Sequence, residues 1–106
     1  MQKIYVKYKE LTIGELVCQN NVYMYTTYPE GLNQAQKQGY PIMLYFLDKD
    51  FIDARLPKSL KTFLPDPNTQ MWFDCKITAQ DTDFNKLYKV ASQDLCDQEL
   101  YISINR

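Results

Sequence analysis

A chain of 106 residues, 45% of them hydrophobic and 24% charged, has the length of one domain and can bury a core without disulfide or metal cross-links. Its 12 basic and 13 acidic residues are spread along the sequence, so it lacks the basic footprint of nucleic-acid-binding proteins. The chain contains no histidine, which excludes Ser–His and Cys–His nucleophiles within it and removes the commonest metal ligand. We therefore expect a single domain over residues 1–106 that does not bind nucleic acid directly.

Neither a membrane segment nor an export signal is evident. The longest apolar stretch, residues 42–47, is too short to span a bilayer, and the first residues lack the pattern of a signal peptide. Cys18, Cys75 and Cys96 form no C-x-x-C motif and cannot all pair with one another. We expect a cytoplasmic protein with free thiols and no membrane partner.

Three strands joined by short turns are predicted near the N-terminus. In the first strand Ile4, Val6 and Tyr8 alternate with more polar side chains, which is typical of a strand with one buried face. Asn20 and Asn21 indicate a tight turn, because asparagine tolerates the left-handed conformation that short hairpins require. The predicted antiparallel meander covers residues 3–8, 12–18 and 22–28.

A short helix and the most apolar run of the chain follow the meander. The helix is predicted over residues 29–38, since proline is tolerated in a first helical turn, and Gly39 stands in the usual position after a helix end. Residues 41–47 are the best candidate for a buried central strand, which the charged residues 48–50 end.

The next segment has an irregular pattern with short helical stretches. Spacing of leucine and phenylalanine predicts a short helix that begins near Pro57. Residues 65–68 contain two prolines and cannot continue a helix. Asn68 is expected to cap a new helical turn that runs to residue 73.

The last third predicts one helix and a terminal strand. The helix covers residues 83–91, with Asp81 or Asp83 at its N-terminal cap, and the strand covers residues 100–104. We therefore predict an α+β fold, a mostly antiparallel sheet with short helices packed on it. The apolar face of the longer helix consists of Phe84, Leu87, Tyr88 and Ala91.

The sequence contains no clear motif for catalysis, cofactor binding or metal binding. Three isolated glycines cannot form a phosphate-binding loop. Asp48, Asp50 and Asp53 loosely resemble a calcium loop, but Asp53 stands where glycine is required and Ser59 where a bidentate Glu is required. One cysteine lies in a predicted strand and another lies next to acidic residues, and both settings favour a structural thiol over a reactive one. We predict no catalytic residue, no cofactor and no metal ligand.

Aromatic residues are abundant, at 14% of the chain, and nine of them are tyrosines. Tyr5, Tyr23, Tyr25 and Tyr45 cannot all point into one core, so the outward-facing rings either form cross-strand pairs on the outer face of the sheet or take part in protein contacts. The single tryptophan, Trp72, follows a proline-broken loop. It either packs in the core or forms an exposed anchor for a partner.

Five short stretches stand out by their order and spacing: Ile4–Val6 with Ile13–Leu16, Tyr23–Leu32, Pro41–Leu47, Phe63–Asp66 and Asp83–Ala91. In that order they resemble the N-terminal subdomain of the HipA family of toxin kinases. The sequence departs from the family pattern at Ala91, where the family usually has glycine.

The resemblance implies a protein-binding role. In this family the kinase core follows the subdomain, whereas these 106 residues contain no kinase signature. A free-standing subdomain occurs as the HipS-like antitoxin of tripartite HipBST systems. The resemblance therefore implies a non-catalytic antitoxin that binds and neutralises a HipT-like Ser/Thr kinase toxin. A HipB-like helix-turn-helix protein is a further partner in a larger complex.

The loop over residues 65–73 is the expected contact with the kinase, with Trp72 as its anchor and the nucleotide-binding loop of the kinase as its target. Three alternatives stay open: an adaptor or inhibitor with an unrelated protein partner, an enzyme that uses Cys or Asp, and a regulator that reaches DNA through a partner. The expected partner-binding residues are Phe63, Leu64, Pro65, Asp66, Met71, Trp72 and Phe73.

Overall fold

One antiparallel sheet forms the centre of the computed structural model, which describes residues 2–39, 47–94 and 98–106. Within those residues the strands are β1 (Ile4–Tyr8), β2 (Leu11–Gln19), β3 (Val22–Thr27), β4 (Phe51–Asp53) and β5 (Leu100–Ser103). Their order across the sheet is β4-β3-β2-β1-β5, and every neighbouring pair is antiparallel. With the helices packed on it, this sheet confirms the predicted α+β class.

The first three strands form the predicted meander. In β1 the burial of Ile4, Val6 and Tyr8 alternates with partial exposure of the residues between them, as the sequence pattern indicates. Asn20 and Asn21 connect β2 to β3 with φ angles of 54° and 63°. This left-handed conformation matches the twist of a two-residue hairpin and sets the register of the two strands.

The two outermost strands among the described residues come from distant parts of the chain. The predicted terminal strand is confirmed as β5, which pairs with β1 so that Tyr5 lies opposite Ser103. The other edge strand, β4, falls in a segment whose pattern predicts no regular element, because three residues are too few to show an alternation. Stacking of Phe51 on Tyr25, with ring centroids 5.2 Å apart, holds β4 against β3.

Four helices lie in the described part of the chain: α1 (Pro29–Lys37), α2 (Lys58–Lys61), α3 (Gln70–Asp74) and α4 (Asp83–Ser92). The prediction for α1 is confirmed, with proline in its first turn and Gly39 after its end at a φ of 83°. The prediction for α2 is also confirmed, since the helix begins directly after Pro57. None of these helices is long and apolar enough to cross a membrane.

The predicted caps of α3 and α4 are wrong by one residue. Thr69, not Asn68, caps α3 and accepts a hydrogen bond from the backbone N–H three residues ahead at 3.4 Å. Thr82, not Asp81 or Asp83, caps α4 in the same way at 3.1 Å. Neighbouring residues in both segments are all good cap formers, so composition alone does not select the capping position.

The longest helix, α4, packs its apolar face onto β5 and β1. Phe84, Leu87 and Ala91 are buried as predicted, and Val90 is buried with them. Tyr88, also predicted for this face, is half-buried at its margin and lies parallel to the Phe84 ring.

The side chain of Tyr25 fills the centre of the core. Its hydroxyl donates to the Leu47 carbonyl at 3.0 Å, and the backbone of Gly14 lies directly against the ring. Burial, reinforced by the nearby acidic residues at 48 and 50, raises the pKa of this phenol. Most of the predicted central strand, residues 41–46, lies outside the described residues, whereas Leu47 is fully buried.

Replacement of Gly31 by alanine should destabilise the fold. A Cβ at Gly31 would overlap the backbone carbonyl oxygen of Thr12, which belongs to the sheet and cannot rotate away. The clash outweighs the helix-propensity gain of about 1 kcal/mol, so we expect a net loss of about 1–2 kcal/mol in the free energy of unfolding. Urea denaturation measures it. The control Asn33→Ala, at an exposed site of α1, should leave stability unchanged or slightly raised, and equal stability of both variants would contradict the packing.

Candidate protein-binding surface

The predicted partner-binding segment begins after α2 and runs into α3, and its first half packs against the core. Phe63 and Leu64 are half-buried and pack against the core. Pro65 is half-buried as well, whereas Asp66 is exposed. The first three of these residues therefore act mainly as packing groups that position α3.

Local hydrogen bonds fix the orientation of α3. The Thr69 hydroxyl donates to the Asp66 carbonyl at 2.7 Å, which closes the turn before the helix. After the helix, the backbone N–H of Ile77 donates to the Trp72 carbonyl at 3.1 Å, and the buried thiol of Cys75 packs into the core. A helix of five residues is not stable alone, so these bonds and the packing below them hold it in place.

Three consecutive apolar residues of α3 differ in exposure, and we call them the α3 surface: Met71, Trp72 and Phe73. Trp72 is half-buried against the core, and the Lys86 ammonium lies 5.3 Å from its ring centroid. Phe73 is 65% exposed and Met71 is 37% exposed. The sequence left Trp72 open between core and anchor. In the structure it supports the helix from below, and Phe73 is the aromatic residue presented to solvent.

A charged bridge supports the turn after α3. The Lys89 ammonium donates to the Lys76 carbonyl at 2.9 Å and to the Asp81 carboxylate at 2.7 Å. The hydrogen bond from Lys89, followed by one from the backbone N–H of Thr78, lowers the pKa of Asp81. This bridge joins the end of α3 to the middle of α4.

The α3 surface borders a cleft of about 150 Å³ beside β5, an outermost strand of the sheet among the described residues. Phe63 and Met71 form one wall, and Leu100, Tyr101 and Ile102 of β5 form the other. The sequence pattern did not indicate the β5 residues as part of the site, because their approach to the α3 surface depends on a pairing between the two ends of the chain.

The carboxylates and thiols considered for chemistry have structural surroundings. Asp50 accepts hydrogen bonds from the backbone N–H and the hydroxyl of Thr27, which lower its pKa, and Asp53 accepts from the backbone N–H of Arg55. Burial raises the pKa of the Cys75 thiol. Among the described residues, no group of three or more acidic or cysteine side chains could hold a metal ion. Cys96 lies outside that part of the chain.

Two further surface features are present. Ile52 on β4 is 75% exposed, at the sheet edge opposite β5. A wider cleft of about 430 Å³ lies where α1 meets β2, and the Arg106 guanidinium stacks 4.4 Å from the Tyr28 ring centroid at its border. The sequence pattern gave no signal for either, because β4 is not predicted and the cleft depends on packing between elements.

Comparison of the chain with protein-family models, curated proteins and solved structures finds no match. The function is therefore inferred from the geometry of this surface and from the sequence resemblance.

Removal of the Lys89 ammonium should change the titration of Asp81. In Lys89→Met the main hydrogen-bond donor is lost, so the pKa of Asp81 should rise toward its ordinary value of about 3.9. A lowered native pKa stabilises the fold at neutral pH, and this contribution disappears as pH falls through that pKa. The stability difference between wild type and variant should therefore shrink below about pH 4. Carboxyl NMR titration tests this, with Lys86→Met, near Asp83, as a control that should leave Asp81 unaffected.

Truncation of the two α3 aromatics should affect stability differently. Phe73→Ala should change the free energy of unfolding by less than about 0.5 kcal/mol, because the side chain is mostly exposed. Trp72→Ala should cost about 1–3 kcal/mol, because the indole packs against the core. Chemical denaturation of both variants measures the difference, and equal losses would contradict the assigned roles.

Proposed function

We propose that this protein is a non-catalytic antitoxin that binds a HipA-like Ser/Thr kinase toxin and holds it inactive. The observation that carries the proposal is the exposure of Phe73 and Met71 on a short helix fixed by Trp72. Large exposed side chains of this kind are typical of protein-binding surfaces, where a few aromatic anchors supply most of the affinity.

The construction of the α3 surface favours tight binding. The threonine cap at Thr69, the bond from Ile77 and the packing of Trp72 order the helix before any partner arrives. A preordered surface loses little conformational entropy on association, so more of the contact energy appears as affinity. The surface thus has the properties of a docking site.

The identity of the partner follows from the resemblance to the HipA N-terminal subdomain. In that family the subdomain accompanies a kinase core, so a surface that meets a kinase is expected on it. Two of the resembling stretches, Phe63–Asp66 and Asp83–Ala91, precede and follow the α3 surface in the sequence. We therefore assign α3 to contact with the kinase near its nucleotide-binding loop. A HipB-like helix-turn-helix protein would supply the DNA binding, for which this sequence shows no basic cluster.

Inhibition requires that the antitoxin bind the inactive state of the kinase more tightly than the active state. A ligand that binds both states equally well does not shift the equilibrium between them. A tenfold difference in affinity between the two states corresponds to about 1.4 kcal/mol, which one aromatic anchor can supply.

Binding should depend on Phe73 and not on an equally exposed apolar residue elsewhere. Phe73→Ala should weaken binding to the toxin kinase by about 30-fold, or about 2 kcal/mol, with the fold intact. The matched control is Ile52→Ala, which removes an even more exposed side chain at the other edge of the sheet and should leave the affinity unchanged. Calorimetric titration of purified kinase measures both.

Neutralisation should follow affinity in cells. Co-expression of the kinase with Phe73→Ala should restore toxicity, whereas Ile52→Ala should protect as well as the wild type. Full protection by Phe73→Ala would contradict the assignment of the α3 surface. Absence of kinase binding by the wild type, with capture of an unrelated protein, would instead favour the adaptor alternative.

A further inference from the structure

Lys86 connects α4 to the helix that carries the α3 surface. Its ammonium lies 5.3 Å from the centroid of the Trp72 ring, and its side chain is only 22% exposed. An ammonium that is largely removed from water needs a compensating partner, and the electron-rich face of an indole supplies one. The contact of Lys86 with Asp83 is long, at 4.0 Å, and lies within α4. Of these two contacts, the one with the ring therefore joins the two helices.

The helix that carries Lys86 is held in place by the core. Phe84, Leu87 and Val90 are buried on its apolar face, and the helix packs on β1 and β5. The position of the Lys86 backbone is therefore set by the core. A side chain that reaches from such a helix to α3 extends this order to a five-residue helix that is not stable alone.

The orientation of the Trp72 indole determines where Phe73 points. Successive side chains of a helix are rotated by about 100°, so turning α3 about its axis moves all of its side chains together. Trp72 packs against the core, whereas Phe73 and Met71 are exposed. A contact that holds the indole at one angle consequently holds the two exposed side chains at fixed angles toward solvent.

The hydrogen bonds at the two ends of α3 act on the backbone. The Thr69 hydroxyl accepts from the backbone N–H of Trp72, and the backbone N–H of Ile77 donates to the Trp72 carbonyl. These bonds fix the path of the chain, whereas the side-chain torsion angles of Trp72 depend on what contacts its ring. Lys86 acts on the ring itself.

We propose that Lys86 is a positioning residue of the α3 surface, because its ammonium holds the Trp72 indole in the orientation that presents Phe73 to a partner. The inference rests on the proposed function for the identity of that partner, whereas the contact between Lys86 and Trp72 belongs to the free protein. When only a fraction of the molecules is competent to bind, the apparent affinity falls by that fraction. Loss of the ammonium should therefore slow association with the kinase and leave dissociation unchanged.

Three substitutions separate positioning from charge. Lys86→Gln removes the ammonium, whereas Lys86→Arg keeps a cation that also binds aromatic faces. The matched control Lys76→Gln removes the same charge from an exposed side chain two residues beyond the end of α3. The Lys76 carbonyl, to which Lys89 donates, is unchanged by this substitution.

Rapid-mixing kinetics with the purified kinase measures the effect. Lys86→Gln should associate about threefold more slowly, with an unchanged dissociation rate constant. Lys86→Arg and Lys76→Gln should bind as the wild type does. The effect of Lys86→Gln should vanish when it is combined with Trp72→Leu, which keeps an apolar side chain but has no aromatic face. Thermal unfolding confirms that each variant folds, and the first three variants decide the result if Trp72→Leu does not fold.

NMR relaxation of the indole N–H reports the same contact in the free protein, because Trp72 is the single tryptophan of the chain. The order parameter of this group should fall in Lys86→Gln and be retained in Lys86→Arg. The order parameter of the Phe73 amide should change in the same direction. This readout needs no kinase.

The outcomes distinguish this proposal from the proposed function. A wild-type association rate for Lys86→Gln overturns the positioning role, and so does faster dissociation, which indicates that Lys86 contacts the kinase directly. Equal slowing by Lys76→Gln indicates general electrostatic attraction and overturns it as well. An undiminished effect in the Trp72→Leu background has the same consequence. All four results leave the antitoxin role in place.

Absence of kinase binding by the wild type overturns the proposed function. The indole order parameters then decide the role of Lys86 by themselves. A lower order parameter in Lys86→Gln supports the positioning of Trp72, and an unchanged one overturns it.

Discussion

The pairing of β5 with β1 is the constraint on which the described structure most depends. It joins the last strand to the first across most of the chain and creates the surface on which α4 packs. The same pairing brings β5 beside the segment that carries Phe63 and Met71, and so forms the cleft. Closing so long a loop is entropically unfavourable, and the burial of Val6 and Ile102 in the shared core offsets it.

Neighbouring residues of α3 have different roles, because one packs against the core and holds the helix while the others are exposed to solvent. Trp72 contributes its indole to the packing below the helix, while Phe73 and Met71 remain open to solvent. A five-residue helix has too few internal hydrogen bonds to hold an exposed aromatic in one place. The cap at Thr69 and the packing of Trp72 supply that order, which reduces the conformational entropy lost when a partner binds.

Much of the fold could be predicted because its signals are local. Alternation in β1, the asparagine turn before β3 and the proline at the start of α1 each depend on a few neighbouring residues, and all are confirmed. The errors come where local signals are degenerate or too short: several cap formers stand side by side before α3 and α4, and the three residues of β4 show no period. Strand β4 is recognisable only through its pairing with β3 and the stacking of Phe51.

The sequence by itself determined most of the element types, the α+β class and the location of an aromatic-rich loop, because propensity, periodicity and turn chemistry act over a few residues. Which aromatic of that loop is exposed was decided only by tertiary structure. The same holds for the cleft, whose two walls lie 29 to 39 positions apart in the sequence. Exposure and edge position depend on what packs against a residue from elsewhere in the chain, and no local pattern contains that information.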